Sequence, residues 1–255
     1  MNFKTFTFLL LTGFLAIFLS SCDKENDEPK TANLQIDMLH HVNNDLLKFN
    51  ELIYENDFGN QYSVSRLQYF VSDFEFVHED GQTFKVDTAF YVDGLVPETL
   101  SLKTDLQIPY GNYTAVRFVF GLDEARNTNG AYPNPPENNM EWPIPLGGGY
   151  HYMKLEGKVA AGEVQNNFQA HTGPTNGNQN YIELSLDGSF FTVDSPQELL
   201  IIGMDINKWW NNPNLLDLNE ITMVMGNQEI QEKLKANGLD VFHVEPLMGI
   251  HYGTG

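Results

Sequence analysis

Apolar and polar residues alternate along most of this chain, and helical spacing is rare. In the segment 32–41, one face of an extended chain would collect three apolar side chains and one imidazole, those of Leu34, Ile36, Met38 and His40. Successive side chains of a strand point to opposite faces of a sheet, so this alternation predicts a strand. The same pattern predicts strands at 67–78, 83–92, 113–122, 153–159, 163–171, 181–186 and 199–205, which makes at least eight in all.

One short helix is predicted near the C-terminus, at 228–236. It is followed by Asn237-Gly238, a sequence that ends helices because glycine adopts the left-handed conformation easily. Many short strands with one late helix indicate an all-β protein, here a single β-sandwich with long loops. The loop 123–149 is the longest of them. Ordered loops of this length are more often functional than simple connectors.

The N-terminus has the pattern of a lipoprotein signal peptide in residues 1–21. Lys4 precedes an apolar stretch at 6–19, which is too short to span a bilayer comfortably. The stretch ends in Leu-Ser-Ser-Cys, which is similar to the lipobox that lipoprotein signal peptidase cuts. Cys22 is the only cysteine, so no intrachain disulfide can form. We therefore expect Cys22 to be lipid-modified at the mature N-terminus.

The segment after Cys22 is charged and lacks a hydrophobic run, which predicts a flexible tether over residues 22–32 and a folded domain over 33–255. An acidic tether in this position resembles the surface-export signals of Bacteroidetes-type lipoproteins. We expect an outer-membrane lipoprotein that faces the periplasm or the cell surface. The formal net charge of −20 argues against a nucleic-acid partner, because phosphate binding needs lysine and arginine.

The candidate metal ligands are histidines from distant parts of the chain. Neither an HExxH motif nor a cysteine pair is present in the sequence. His40 lies on the apolar face of its predicted strand, and His41 would replace it if the register slipped by one residue. His171 ends a strand before a glycine-containing loop. The chain also lacks a nucleophile elbow and a glycine-rich phosphate loop, so we do not expect an enzyme.

A series of sequence blocks resembles the MbnP-like family, the methanobactin-partner proteins. The blocks run in order over most of residues 33–245: "LLKF", "FGNQYSVSRLQYFVSDFEF", "GNYTAVRFVFGLD", "NTNGAYPNPPENNMEWPIPLGGGYHYMKLEG", "FQAHTG" and "ANGLDVFHV". The resemblance implies an exported β protein with a Cu(I) site made of two imidazoles and a tryptophan-derived ligand. By motif, these residues would be His40, His171 and Trp142, with His41 as the alternative to His40.

The resemblance also implies a chemical modification of Trp142. In relatives this tryptophan is oxidised to kynurenine, and a di-haem cytochrome c peroxidase-like partner is associated with the change. Relatives commonly have a second aromatic residue two positions later, where this chain has Ile144. The expected function is copper acquisition or handling.

A metal-free alternative comes from the aromatic content of 13%. A cell-surface lipoprotein could bind glycans or a protein partner, with Trp209 and Trp210 as a stacking platform.

Overall fold

Two β-sheets and one short α-helix make up the described part of the protein, which is residues 30–246 of a computed structural model, without the side chains of residues 189 and 190. The first seven strands are β1 (Thr31–Val42), β2 (Asp45–Leu46), β3 (Tyr54–Glu55), β4 (Gln61–His78), β5 (Thr83–Asp93), β6 (Ser101–Leu102) and β7 (Gln107–Pro109). The others are β8 (Gly111–Phe120), β9 (Met153–Ala161), β10 (Val164–Thr172), β11 (Ile182–Val193), β12 (Gln197–Asp205) and β13 (Phe242–Val244), and the helix α1 is Gln228–Asn237. Every predicted strand and the predicted helix are present, and the all-β sandwich is confirmed.

The two sheets have different strand orders. The six-stranded sheet follows β13-β12-β1-β2, with β6 and β7 also paired to β1, and the seven-stranded sheet follows β10-β9-β4-β8-β11, with β3 and β5 also paired to β4. Strands β1 and β12 run parallel, although more than 150 residues separate their ends, whereas the other named strand pairs are antiparallel. The core lies between the sheets.

The N-terminal boundary of the domain differs slightly from the prediction. Strand β1 begins at Thr31, and Ala32 is buried and pairs with Ile108 of β7. Residues 31 and 32, which were predicted to belong to the tether, are therefore part of the folded domain. The predicted signal peptide and Cys22 lie outside the described residues. Within residues 30–246, no helix is long and apolar enough to cross a membrane.

Two predictions about the C-terminal third are wrong. Trp209 and Trp210 are fully buried (0% exposed), because the 3-10 segment that carries them packs into the core, so they cannot form a stacking platform. Gly238 ends α1 with φ −59° rather than in the left-handed conformation, and the chain continues as a 3-10 turn. Glycine is needed there for space, since a β-carbon would lie 2.8 Å from the Trp209 ring.

The long loop leaves the seven-stranded sheet at the middle of β4. Strand β9 pairs with the first half of β4 and β8 with the second half, along the same edge, so the chain between them must rise from the sheet. Phe70 marks this point: its N–H donates to the Tyr152 carbonyl (3.0 Å) and its carbonyl accepts from the Gly121 N–H (2.8 Å). The loop covers the outer face of the sheet with a second small core of Phe70, Leu122, Met140, Tyr150 and Tyr152.

Candidate metal centre

Trp142 lies in this loop and is packed onto the sheet through Gly173. Its indole is 2% exposed. The backbone N–H of Trp142 donates to the Gly149 carbonyl (2.8 Å), which closes the loop over the glycine-rich turn 147–149. A β-carbon on Gly173 would lie 2.5–2.7 Å from three carbons of the indole, so only glycine lets the ring come this close. The indole Nε1 is buried without a hydrogen-bond partner among the described residues.

His151 presents one imidazole nitrogen for binding. The side chain is 5% exposed, and its Nδ1 lies 2.8 Å from the carbonyl oxygen of Met140. Burial, together with the charge of Lys154, lowers the pKa of His151 to about 3, so the ring is neutral at neutral pH. A carbonyl only accepts, so Nδ1 carries the hydrogen and Nε2 keeps its lone pair.

His171 is oriented by a carboxylate. Its Nε2 lies 2.8 Å from Oε1 of Glu156, and that oxygen also accepts from the guanidinium of Arg66 (2.7 Å). The hydrogen bond with His171, followed by the charge of Arg66, lowers the pKa of Glu156, which keeps it ionised as an acceptor. In the neutral imidazole of His171 the hydrogen then lies on Nε2, and Nδ1 keeps a lone pair that can bind a metal ion. A carboxylate behind a histidine is the usual support of a metal-binding imidazole.

These three side chains form one cluster on the outer face of the seven-stranded sheet, which we call the Trp142 centre (Trp142, His151 and His171). The rings of Trp142 and His151 have centroids 4.7 Å apart, and those of His151 and His171 are 5.2 Å apart. With metal–nitrogen bonds of about 2 Å, two imidazoles that share an ion have centres no more than about 6 Å apart. The separation of His151 and His171 is within this limit.

The structure does not bring His40 to this cluster. His40 lies between the two sheets, where its Nε2 is 2.8 Å from the hydroxyl of Tyr69, whereas His171 points away from the core on the opposite face of the seven-stranded sheet. Burial lowers the pKa of His40 to about 4, and the nearby His41 adds to this effect. His40 is thus a neutral, hydrogen-bonded core histidine.

The predicted alternative, His41, points to the outer face of the other sheet, near His243. Of the expected ligands, His171 and Trp142 lie together, and the imidazole between them is that of His151 rather than that of His40 or His41. Sequence reasoning gave His151 no role. Its signal was its position at the end of the block that carries Trp142, where the loop has to return to the sheet.

Comparison with known proteins agrees with the fold. The model of the MbnP family matches residues 31–226. A solved structure, MbnP from Methylosinus trichosporium, is similar with a TM-score of 0.54 and 14% sequence identity, and the match covers 76% of this chain and 83% of that chain. No curated protein matches the sequence. Since the family model covers well over half of the sequence, the chain belongs to the MbnP family.

Proposed function

We propose that this protein is an exported lipoprotein that binds copper as Cu(I) at the Trp142 centre and serves copper acquisition or handling, as a binding protein rather than an enzyme. The observation that carries the proposal is the convergence of two imidazoles and one indole, two from the long loop and one from β10, on one largely buried spot. The resemblance of the sequence to copper-binding MbnP-like proteins points to the same ion.

The donor set suits copper chemically. Neutral imidazole nitrogen is a good ligand for copper, and a site with few donors and no carboxylate bound directly to the ion disfavours hard cations such as Ca²⁺ and Mg²⁺. His151 and His171 each use one ring nitrogen for a hydrogen bond and keep the other for the metal. The indole face of Trp142 would attract a cation held beside it. Bound Cu(I) would be the cargo of a copper carrier, and it could also take part in electron transfer.

Access to the centre is available from one side. A cavity of about 740 Å³ reaches His171 and is also lined by Met223 and Met225. Thioether sulfur is a soft ligand that suits Cu(I). The two methionines could pass the ion between solvent and the more buried imidazoles.

Two parts of the proposal concern the lipid anchor and a partner protein. We expect Cys22 to carry the lipid anchor in the outer membrane, with the domain facing the periplasm or the cell surface. We also expect a di-haem peroxidase-like partner to act on Trp142 where kynurenine is formed.

The proposal is tested by Cu(I) titration of the full chain in detergent against a competing chelator. The variants His151→Gln and His171→Gln should each lose at least tenfold in affinity, because each removes one of two imidazole donors. His40→Gln is the matched control, since it removes a buried histidine that lies between the sheets, and it should bind like the wild type. Wild-type affinity in both ligand variants, with folding confirmed by circular dichroism, would exclude the Trp142 centre as the copper site.

A further inference from the structure

A second group of metal ligands lies on the outer face of the six-stranded sheet. It consists of His41 from β1, His243 from β13 and Glu245, which follows β13 and donates its N–H to the Ile201 carbonyl (2.9 Å). One ligand atom from each residue lies within 4.8 Å of the others. The Oε1 of Glu245 is 2.9 Å from Nε2 of His243, a hydrogen bond that a bound ion would replace, and 3.3 Å from Nε2 of His41. We propose that this triad binds a divalent first-row transition-metal ion, represented by Zn²⁺.

The hydrogen bonding of the His41 ring supports a bound cation. Its Nδ1 lies 2.6 Å from the backbone carbonyl of Asn43, which can only accept, so Nδ1 carries the hydrogen. In the neutral ring, Nε2 then carries a lone pair and no hydrogen. This atom is buried without a hydrogen bond among residues 30–246. The Glu245 oxygen at 3.3 Å is close enough for a charged contact but is not aligned for a hydrogen bond. A lone pair and a carboxylate facing each other repel unless a cation lies between them.

The sheet makes room for this arrangement. The three groups come from β1, β13 and the residue after β13, and β12 lies between the two strands. Gly203 of β12 is opposite His243, and a β-carbon on Gly203 would meet both the His243 ring (2.7 Å) and the Glu245 carboxylate. Without a side chain at position 203, the ligand atoms from strands on either side can approach one another.

The site is also reachable. A cavity of about 540 Å³ borders His243 and Glu245, and Glu198 lines it too. The cavity lining within residues 30–246 includes neither lysine nor arginine. The exposed fraction of the side chains rises from 12% for His41 to 41% for His243. An ion could therefore enter from the cavity and keep coordination positions open on that side.

The chemistry of the triad differs from that of the Trp142 centre. Two imidazoles and one carboxylate suit borderline divalent ions, as in two-histidine, one-carboxylate sites, whereas Ca²⁺ and Mg²⁺ prefer oxygen ligands alone. The negative charge of Glu245 favours a divalent ion over a monovalent one. The two centres lie on different sheets and should be loaded independently.

Metal binding by the full chain tests the triad. The chain is stripped with a chelator and titrated with Zn²⁺ by calorimetry, and with Co²⁺, whose visible absorption reports nitrogen and oxygen ligands. We expect one Zn²⁺ that displaces Co²⁺, with affinity at least tenfold weaker in Glu245→Gln and in His243→Asn. Glu198→Gln removes a cavity carboxylate outside the triad, and His171→Gln disables the Trp142 centre, so both should retain this binding.

Two outcomes would overturn the proposal. The first is wild-type protein that gives no Zn²⁺-sensitive Co²⁺ absorption, a measurement that does not depend on any variant folding. The second is Zn²⁺ binding that is equal in wild type and folded Glu245→Gln.

Discussion

Replacing Gly173 with alanine should push Trp142 out of its position. The added β-carbon would lie 2.5 Å from Cε3 and 2.7 Å from Cδ2 and Cζ3 of the indole. Carbon atoms in contact prefer separations of about 3.5–4.0 Å, so ring or backbone has to move by about 1 Å. Added methyl groups in a packed site cost about 1–3 kcal/mol. We therefore expect Gly173→Ala to lower the free energy of unfolding by about 1–3 kcal/mol.

Urea unfolding, followed by circular dichroism and tryptophan fluorescence, measures this effect. Gly226→Ala is the matched control, because the nearest atom to its added β-carbon is the side chain of Leu146 at 3.9 Å. The control should change stability by less than about 0.5 kcal/mol. Native Gly173→Ala should also emit at longer wavelength, since Trp209 and Trp210 stay buried while Trp142 is exposed.

The same variant links packing to the proposed function. A displaced indole loses its 4.7 Å contact with His151, so Cu(I) affinity should fall in Gly173→Ala and not in Gly226→Ala. Equal stability and equal emission in the two variants would refute the reasoning that Gly173 is the platform for Trp142. Reduced stability with unchanged copper affinity would mean that the indole supports the loop and does not contribute to metal binding.

Three further predictions concern individual side chains. The pKa of His40 is lowered from 6.5 to about 4 in the folded protein. As the pH falls below 6.5, the unfolded chain therefore binds a proton at His40 that the folded protein does not bind. Stability should for this reason decrease between pH 6.5 and pH 4. In His40→Gln, the slope of unfolding free energy against pH in this window should be smaller by up to about 1.4 kcal/mol per pH unit, and parallel curves would contradict the assignment. Gln231 is fully buried, and its side chain bonds to the carbonyl of His171 (2.9 Å), the carbonyl of Val224 (3.1 Å) and the N–H of Gly173 (3.3 Å). Gln231→Leu leaves these groups unpaired and should cost at least about 2 kcal/mol in urea unfolding, and a loss under about 0.5 kcal/mol would be inconsistent with these bonds. Peptide mass spectrometry of protein from its native host should give the mass of kynurenine at Trp142, while protein from a host without the partner enzyme should retain tryptophan. Unmodified Trp142 in copper-loaded native protein would contradict the kynurenine prediction.

The sequence by itself determined the strands and the inward direction of their side chains. Alternation with a period of two depends only on local geometry, so it predicted β1 with His40 on its buried face and the strands β4 and β5. Local signals also predicted the helix α1. It also identified the long loop and the block that carries Trp142. These features need no knowledge of which strand lies beside which.

Only the tertiary structure decided which side chains meet. Alternation assigns His40 and His171 each to one face of its own strand. It does not say that the face with His40 lies between the sheets, whereas the face with His171 lies on the side of the long loop. His151 meets His171 because β9 pairs antiparallel with β10, with Met153 opposite Thr172. Trp142 reaches these two histidines only because the long loop folds back onto Gly173, which is a non-local contact. The triad of His41, His243 and Glu245 depends in the same way on β12 lying between strands that the sequence separates by about 200 residues. Local periodicity carries no information about such contacts, because they are fixed by the packing of the whole chain.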